Sequence, residues 1–293
     1  MAAPDTASGP ARQPTTWRAA VAGASRILAE ADAPSPDVDA RLLAEHVLGR
    51  PLLLAPDPTA EDLARFAELV DRRRRREPLQ HITGTMGFRR LVLTAGPGAF
   101  VARPETEVVA GVAIDAARAV RRQGRNPVVV DLCTGSGAIA VALATEVPGT
   151  EVHAVELSAD ALAIATTNVA DHAPDVRLVQ GDAASALPEL DGSVDVVVSN
   201  PPYVPPDAEP VDPEVRDHEP DMALYGGGAD GLEVPRAVVA SAVRLLRPGG
   251  RFVMEHAEVQ AEAVRRMVTD AGLRSAESGR DLTGRERFVT ATR

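Results

Sequence analysis

Apolar residues in the first third of the chain recur at the spacing of an α-helix. Residues 16–30 and 35–48 have this spacing, and a third such stretch begins near Thr59. Ser35 and Pro36 suit the N-cap and first turn of the second stretch, and Gly49 suits its end. The apolar residues that share one face are Val38, Leu42, Leu43 and Val47 in the second stretch, and Leu63, Phe66 and Val70 in the third. The pattern predicts a small helical domain over residues 15–83, preceded by a disordered tail at 1–14.

The spacing of apolar residues changes after residue 84. Two short segments within 84–102 predict a hairpin linker between domains. From residue 103 onward, apolar runs alternate with turns and helical stretches, and the predicted strands are 128–132, 151–156, 176–180, 194–199 and 251–255. This alternation predicts a parallel, doubly wound α/β sheet over 103–293, with a closing antiparallel pair at 273–276 and 287–292.

One long segment interrupts the alternation of strands and helices. Residues 204–230 are rich in proline and too polar for a core, and they follow the fourth predicted strand. Long loops without secondary structure of their own are often lids or binding loops. We therefore predict that 204–230 covers the site as a lid or substrate loop.

Composition and charge narrow the possible functions. The 293 residues include 45% hydrophobic residues and a formal net charge of -11, which argues against stable nucleic-acid binding. The single cysteine excludes an internal disulfide, and no apolar run approaches the ~20 residues of a membrane span. Residues 1–14 lack the apolar core of a signal peptide. The composition predicts a cytoplasmic protein that has no membrane partner.

A run of arginines ends the third predicted helix. All 31 basic residues of the chain are arginine, which indicates codon bias more than chemistry. Residues 72–76 are all arginine, and cations are favourable beside the free carbonyls of a helix C-terminus. A solvated helix end is therefore favoured over an RNA or ribosome contact.

A glycine-rich loop follows the first strand of the predicted sheet. Gly135 and Gly137 would let a ligand approach the backbone at a helix N-terminus. With Ala140 they also fit the pattern of a nicotinamide-dinucleotide site, with Glu156 in the place of the ribose-binding acid. Acids at three successive strand ends favour S-adenosylmethionine instead. The predicted cofactor contacts are Asp131, Cys133, Thr134, Gly135, Ser136 and Gly137 near the methionine part, Glu156 at the ribose, Asp182 and Ala183 at the adenine, and Asn200.

The sequence Asn200-Pro201-Pro202-Tyr203 follows the fourth strand directly. The Asn200 side-chain oxygen and the Pro201 carbonyl can accept both hydrogens of a planar NH₂ group, while the prolines stiffen the backbone and the Tyr203 ring can stack on a flat group. These four residues are the predicted catalytic residues, and we predict that they hold a planar nitrogen for methylation. The alternative is that the same tetrapeptide only ends the strand and begins a turn. No metal site is predicted.

These motifs together resemble the protein-(glutamine-N5) methyltransferases, and in particular the branch that modifies peptide chain release factors. The resemblance extends over nearly the whole chain and is carried by residues 39–43, 74–80, 103–107, 131–140, 200–205, 213–216, 219–220, 230–232, 247–250 and 260. It implies a Rossmann-like class I methyltransferase fold, S-adenosylmethionine as cofactor, and a substrate-recognition role for the N-terminal helical domain. The implied reaction is N5-methylation of the glutamine in a Gly-Gly-Gln loop, a modification connected with translation termination.

The sequence shows three departures from this family and leaves four alternative functions open. Cys133 stands where the family usually has glycine, Ala102 where it usually has proline, and His256-Ala257 where it usually has an aliphatic residue and glycine. The substrate could instead be a glutamine of a ribosomal protein, or an exocyclic amine in RNA or DNA. The remaining two rivals are a binding module without turnover and a nicotinamide oxidoreductase, although no proton-transferring pair for the latter is identifiable.

Overall fold

The computed structural model describes residues 16–293, so the tail predicted at 1–14 lies outside the described residues. The chain divides into two compact units, one ending at Thr83 and the other spanning Gly84–Arg293. Each unit has its own buried apolar cluster. No helix among residues 16–293 is long and apolar enough to cross a membrane.

The first unit is built from four helices within the described residues: α1 (Trp17–Glu30), α2 (Pro36–Leu48), α3 (Ala60–Arg74) and α4 (Leu79–Thr83). The side chain of Thr16 caps α1, and Thr59 with Asp62 forms a capping box at the start of α3. The rings of Trp17 and Phe66 meet edge to face with centroids 5.7 Å apart, and both residues belong to the apolar cluster of this unit. The apolar periodicity of the sequence therefore identified the three long helices.

The arginine run at the end of α3 is only partly solvated, which corrects the sequence prediction. Arg73 is 4% exposed, and its Nε lies 2.7 Å from the Asp39 carboxylate of α2. Arg72 pairs with Glu77, whereas Arg74 and Arg75 pair with Asp71 at the surface. The contact between α2 and α3 buries Arg73. The sequence could not indicate which of the five consecutive arginines would be buried.

Replacement of Arg73 by alanine should destabilise the first unit by about 3–5 kcal/mol, because the Asp39 charge would remain buried without its partner. Arg74→Ala removes an exposed pair and should change the free energy of unfolding by less than about 1 kcal/mol. Urea unfolding of both variants measures this difference. Equal stability losses would contradict a structural role specific to Arg73.

The second unit opens with a hairpin of β1 (Thr85–Phe88) and β2 (Leu91–Thr94), in which Thr85 pairs with Thr94. Its inward side chains, Met86, Phe88 and Leu93, belong to the core of this unit. Asn168 fastens the hairpin further, because its amide exchanges two hydrogen bonds with the backbone of Thr94. The hairpin predicted as a linker is thus an integral part of the second unit.

A seven-stranded sheet forms the centre of the second unit within the described residues. Its strands are β3 (Val128–Leu132), β4 (Glu151–Glu156), β5 (Arg177–Gln180), β6 (Val194–Ser199), β7 (Leu246–Glu255), β8 (Arg274–Arg280) and β9 (Glu286–Thr292), in the order β5-β4-β3-β6-β7-β9-β8. The helices around it are α5 (Pro104–Arg122), α6 (Ala138–Glu146), α7 (Ala159–His172), α8 (Pro213–His218), α9 (Asp221–Leu224), α10 (Glu233–Leu245) and α11 (Ala261–Asp270).

Strands β3 to β7 are parallel, and β9 runs antiparallel to both of its neighbours. All six residues of β6 are buried, as expected for a central strand covered by helices on both faces. One apolar cluster packs α5 and α6 on one face, and a second packs α10 and α11 on the other. This arrangement is the doubly wound α/β sheet that the alternation of strands and helices predicted.

Two strand boundaries differ from the sequence prediction by four residues or more. Strand β7 begins at Leu246 rather than at residue 251, because an irregularity opposite Val194 and Val196 accommodates the intervening proline and glycines. Strand β8 runs to Arg280, four residues beyond the predicted end, since its pairing with β9 continues past the apolar positions.

Candidate functional site

A cavity of about 330 Å³ lies at the carboxyl ends of the central strands. The strand order reverses between β3 and β6, and ligands of doubly wound sheets bind in the crevice outside this switch point. The glycine-rich loop after β3, the acid at the end of β4 and the tetrapeptide after β6 all contribute to its wall. The volume falls within the range of small-ligand sites, roughly 300–1,000 Å³.

The glycine-rich loop turns sharply from β3 into α6. Gly135 and Gly137 have φ values of 59° and 81°, which side chains other than glycine rarely adopt. A Cβ on Gly137 would also lie 3.4 Å from the Cβ of Ala165 on α7. Gly137 is therefore a packing residue of the loop, whereas Gly135 and Ser136 line the cavity.

Cys133 shares this left-handed backbone, with φ at 59°. Such a conformation costs an L-residue roughly 1–2 kcal/mol. This cost explains why glycine suits this position in the family that the chain resembles. Burial raises the pKa of the Cys133 thiol to about 12. The thiol stays protonated at neutral pH, so Cys133 lines the cavity as a small apolar group and not as a nucleophile.

Asp131 stands near the end of β3, beneath the glycine-rich loop. Its side chain is fully buried and absent from the cavity wall, and its Oδ2 accepts a hydrogen bond of 2.5 Å from the Thr134 hydroxyl. Burial raises the pKa of Asp131 to about 7, opposed by the Thr134 contact. Asp131 thus lies beneath the loop, and its contact with the cofactor amino group stays a prediction.

The pKa of Asp131 predicts a pH dependence of stability. Its folded-state pKa lies above the ordinary value of 3.8, so between pH 4 and 7 the folded chain keeps a proton that the unfolded chain releases. Stability should therefore fall as pH rises through this window, by up to about 1.4 kcal/mol per pH unit for one retained proton. Urea unfolding at pH 5.0 and 6.5 should give a shallower pH dependence for Asp131→Asn than for the parent. Identical dependences would contradict the raised pKa.

Two further acids stand at neighbouring strand ends. Glu156, at the end of β4, accepts hydrogen bonds of 2.8 Å from the backbone N–H groups of Gly135 and Ser158, which fixes its carboxylate at the cavity wall. Asp182 follows β5, and its Oδ1 accepts a hydrogen bond of 2.8 Å from Ala184. Both acids, together with Ala183, line the cavity, so the structure brings together acids that are 26 positions apart in the sequence.

The tetrapeptide after β6 lines the same cavity from the other side. The Asn200 Nδ2 donates a hydrogen bond of 3.2 Å to the Thr106 hydroxyl of α5, which leaves the Asn200 Oδ1 as a free acceptor. The Tyr203 hydroxyl donates to the Glu255 carboxylate at 3.3 Å. Burial raises the pKa of Tyr203 well above its usual range, so the phenol remains protonated.

Gln260 holds this tetrapeptide in place, a role that the sequence did not reveal. Its Nε2 donates to the carbonyls of Tyr203 at 2.8 Å and Asp230 at 3.0 Å, while its Oε1 accepts from the Ala257 N–H at 3.1 Å. Gln260 is 6% exposed and follows β7, far from the motif in sequence. The only indication of Gln260 in the sequence was that it is one of the residues that carry the family resemblance.

Asn168 is a second residue that sequence reasoning missed. Besides its bonds to Thr94, its Nδ2 donates at 2.9 Å to the carbonyl of Ser136 in the glycine-rich loop. It is completely buried on α7. No motif indicated it, because a lone asparagine in a helix has no local signature.

The segment 204–230 closes one side of the cavity and is less loop-like than predicted. It contains α8 and α9, and its Val204 forms a bridge with Tyr225. Met222, Leu224 and Tyr225 line the cavity, although Met222 remains 57% exposed. Glu219 of this segment is buried and bonded at 2.6 Å to Arg103, whose guanidinium lies over the Phe100 ring. Two acids of this segment, Glu214 and Glu219, are nevertheless buried.

Of the predicted site residues, the cavity wall contains Cys133, Thr134, Gly135, Ser136, Glu156, Asp182, Ala183, Asn200, Pro201, Pro202 and Tyr203. Asp131 and Gly137 lie behind this wall. No group of three or more metal-ligating side chains was found among residues 16–293. A dense set of hydrogen-bond acceptors beside a glycine-rich turn fits an adenosyl cofactor with a cationic methionine part.

Comparison with known proteins agrees with this geometry. Residues 19–84 match the family model of the PrmC N-terminal domain, and residues 116–212 match that of the methyltransferase small domain. The release factor glutamine methyltransferase of Streptomyces coelicolor is 52% identical over 93% of this chain and 96% of its own length. That of Mycolicibacterium smegmatis is 46% identical over 95% and 98%.

Among solved structures, the catalytic domain of hMettl16 in complex with a MAT2A 3′UTR hairpin has a TM-score of 0.52 and covers 68% of this chain and 73% of its own. At 13% identity this likeness concerns the fold alone. The family models and relatives identify an S-adenosylmethionine-dependent methyltransferase. The identities and coverage are high enough to conclude that this chain belongs to the release factor glutamine methyltransferase family.

Proposed function

We propose that this protein methylates the N5 atom of the Gly-Gly-Gln glutamine in peptide chain release factors. The observation that carries the proposal is the fixed orientation of Asn200, whose Nδ2 is bonded to Thr106 and whose Oδ1 is free beside the cavity. The names of the relatives support the choice of release factors as substrate. This substrate would place the protein in the cytoplasm, where translation terminates.

Residues on one side of the cavity would hold the cofactor. The backbone at Gly135 and Ser136 would border its methionine part, and Cys133 and Thr134 flank the same turn. Each Glu156 oxygen already accepts one backbone hydrogen bond and retains a lone pair for a ribose hydroxyl. Asp182 and Ala183 would border the adenine ring. When bound, S-adenosylmethionine supplies an electrophilic methyl group on a sulfonium.

Residues on the other side would hold the glutamine amide. The Asn200 Oδ1 and the Pro201 carbonyl would accept its two N–H groups, which aims the nitrogen at the cofactor. Tyr203 would pack on the amide plane, with its phenol held by Glu255. Positioning of this kind can lower an activation barrier by ~7–11 kcal/mol.

The site requires no general base before transfer. An amide nitrogen is a weak nucleophile because its lone pair is delocalised, and positive charge develops on it as the new bond forms. Two oxygen acceptors stabilise that charge through the N–H groups, and this stabilisation is greatest in the transition state. The amide proton can leave to water after the methyl group has moved.

Mass spectrometry of candidate substrates tests the proposed function. Incubation with S-adenosylmethionine and the organism's own release factors should add one methyl group, mapped by peptide sequencing to the Gly-Gly-Gln glutamine. A ribosomal protein glutamine and an RNA or DNA amine are the rival acceptors, so ribosomal proteins and RNA are incubated in parallel. Methylation confined to one of them, with release factors unmodified, would overturn the proposal.

A further inference from the structure

The side-chain amide of Asn168 joins three elements of the second unit. Its Oδ1 accepts a hydrogen bond of 2.7 Å from the N–H of Thr94 in β2, and its Nδ2 donates to the carbonyls of Thr94 at 3.1 Å and Ser136 at 2.9 Å. Asn168 lies on α7 and is fully buried. An N–H can only donate and a carbonyl can only accept, so these partners fix which end of the amide is oxygen and which is nitrogen.

The bond to Ser136 holds a peptide whose direction the backbone alone does not decide. This peptide joins Ser136 to Gly137, the N-cap residue of α6. A flip of the peptide plane would change the φ of Gly137, which is 81°, and glycine accepts positive and negative φ about equally well. Hydrogen bonds therefore decide in which direction the Ser136 carbonyl points.

Two hydrogen bonds oppose a flip of this peptide. The Gly137 N–H donates to the Thr134 carbonyl at 2.9 Å, within the loop itself. The Ser136 carbonyl accepts from Asn168, a side chain that another element supplies. Ser136 lines the cavity and Asn168 does not. The Asn168 amide thus draws the carbonyl toward the interior, away from the side of the loop that faces the cavity.

The direction of this peptide matters for a charged ligand. The methionine part of S-adenosylmethionine carries an ammonium and a carboxylate group, and the backbone at Gly135 and Ser136 would border it. A flip exchanges the N–H and the C=O of the peptide, so it reverses the dipole that these charges would meet. The adenosine part would instead contact Glu156 and Asp182, which stand at other strand ends.

We infer that Asn168 is a positioning residue for the cofactor: it holds the peptide between Ser136 and Gly137 in the direction that suits the amino-acid part of S-adenosylmethionine. Asn168 acts through the Ser136 carbonyl and does not itself touch the cofactor. The assignment rests on the cofactor placement proposed above, and it does not depend on which protein is the substrate.

Calorimetric titration with two ligands tests this role. 5′-Methylthioadenosine has the adenine, ribose and sulfur of S-adenosylmethionine but lacks its amino-acid part. Asn168→Asp keeps the shape and the acceptor for the Thr94 N–H, but it sets a carboxylate oxygen against the Ser136 carbonyl. Its Kd for S-adenosylmethionine should rise on the order of 10- to 10²-fold, the loss of one hydrogen bond beside a charge, and its Kd for 5′-methylthioadenosine should stay within about threefold of the parent.

His172→Ala is the matched control. His172 lies four residues further along α7, and its Nε2 donates to the Val92 carbonyl of β2 at 3.0 Å, so it joins the same helix to the same hairpin. Both Kd values of this variant should match those of the parent. Asn168→Ser, which lacks the amide nitrogen, is a second test variant in case the carboxylate of Asn168→Asp prevents folding. It should also weaken binding of S-adenosylmethionine alone.

A resonance measurement without ligand separates the loop contact from general stability. In ¹⁵N-labelled protein, the backbone amide resonance of Gly137 should shift in both Asn168 variants and stay unshifted in His172→Ala. Equal losses of affinity for the two ligands, an unchanged Kd for S-adenosylmethionine, an unshifted Gly137 resonance, or failure of both Asn168 variants to fold would overturn the assignment.

These measurements need no protein substrate, so they separate failure of this assignment from failure of the proposed function. A parent that leaves release factors unmethylated, combined with the expected differences in cofactor binding, would overturn the substrate and support the role of Asn168.

Discussion

Asn200→Ala is expected to lower the rate of methyl transfer on the order of 10²–10³-fold while the enzyme continues to bind S-adenosylmethionine. The variant removes the Oδ1 acceptor but leaves the glycine-rich loop and Glu156 unchanged, because the Asn200 side chain bonds only to Thr106 among the described residues. Calorimetric cofactor titration and single-turnover methylation of a release factor measure the two effects separately.

This variant also separates two roles predicted for Asn200. A weaker cofactor Kd with a proportionate loss of rate would support a cofactor contact, whereas an unchanged Kd supports a contact with the substrate amide. Asn126→Ala is a suitable control, since Asn126 is exposed and its side chain contacts Arg121 outside the cavity wall. Transfer within tenfold of the parent would contradict the substrate role.

Gly226→Ala should be the most damaging single-methyl substitution near the site. A Cβ at this position would lie 2.0 Å from the Gly231 carbonyl oxygen and 2.6 Å from that of Pro202. Both are backbone atoms, so the chain must shift beside the tetrapeptide. We expect a loss in transfer rate on the order of 10²-fold and a loss of about 1–3 kcal/mol in stability.

The control for Gly226→Ala is Gly96→Ala in the same unit, because a Cβ there meets no atom within 4 Å. Circular dichroism and thermal unfolding establish whether the variants fold, and methylation assays then report the geometry of the site. A Gly226→Ala enzyme that folds and retains the parent rate would show that the Pro202 backbone does not position the substrate.

Local sequence patterns anticipated most of the fold. The strands β3, β4 and β6 were predicted at their observed limits, because continuous apolar runs bounded by turn residues are typical of buried parallel strands. The ends of β7 and β8 were missed, since a bulge beside Val194 and the pairing partner β9 extend them through polar residues. Pairing between strands decides such ends, and a single segment does not contain that information.

The residues predicted for the candidate site line one cavity, apart from Asp131 and Gly137. Glu156, Asp182 and Asn200 were predicted from their positions directly after strands, and each lines the cavity. Asp131 stands near the end of β3, where its buried carboxylate accepts a hydrogen bond from the Thr134 hydroxyl and does not line the cavity. Whether a strand-end acid faces a ligand or the core depends on the loop that follows it.

The sequence by itself determined the long helices and the central strands, and it placed the chemical groups at the strand ends and in the tetrapeptide at 200–203. The tertiary structure decided which partners orient them: Thr106 is 94 positions from Asn200, Gln260 is 57 from Tyr203, and Glu255 is 52 from Tyr203. Periodicity and turn chemistry act over a few residues, so they are readable in the chain. A hydrogen-bond partner distant in sequence is selected only when strands and helices pack, and this packing sets the direction of the Asn200 amide.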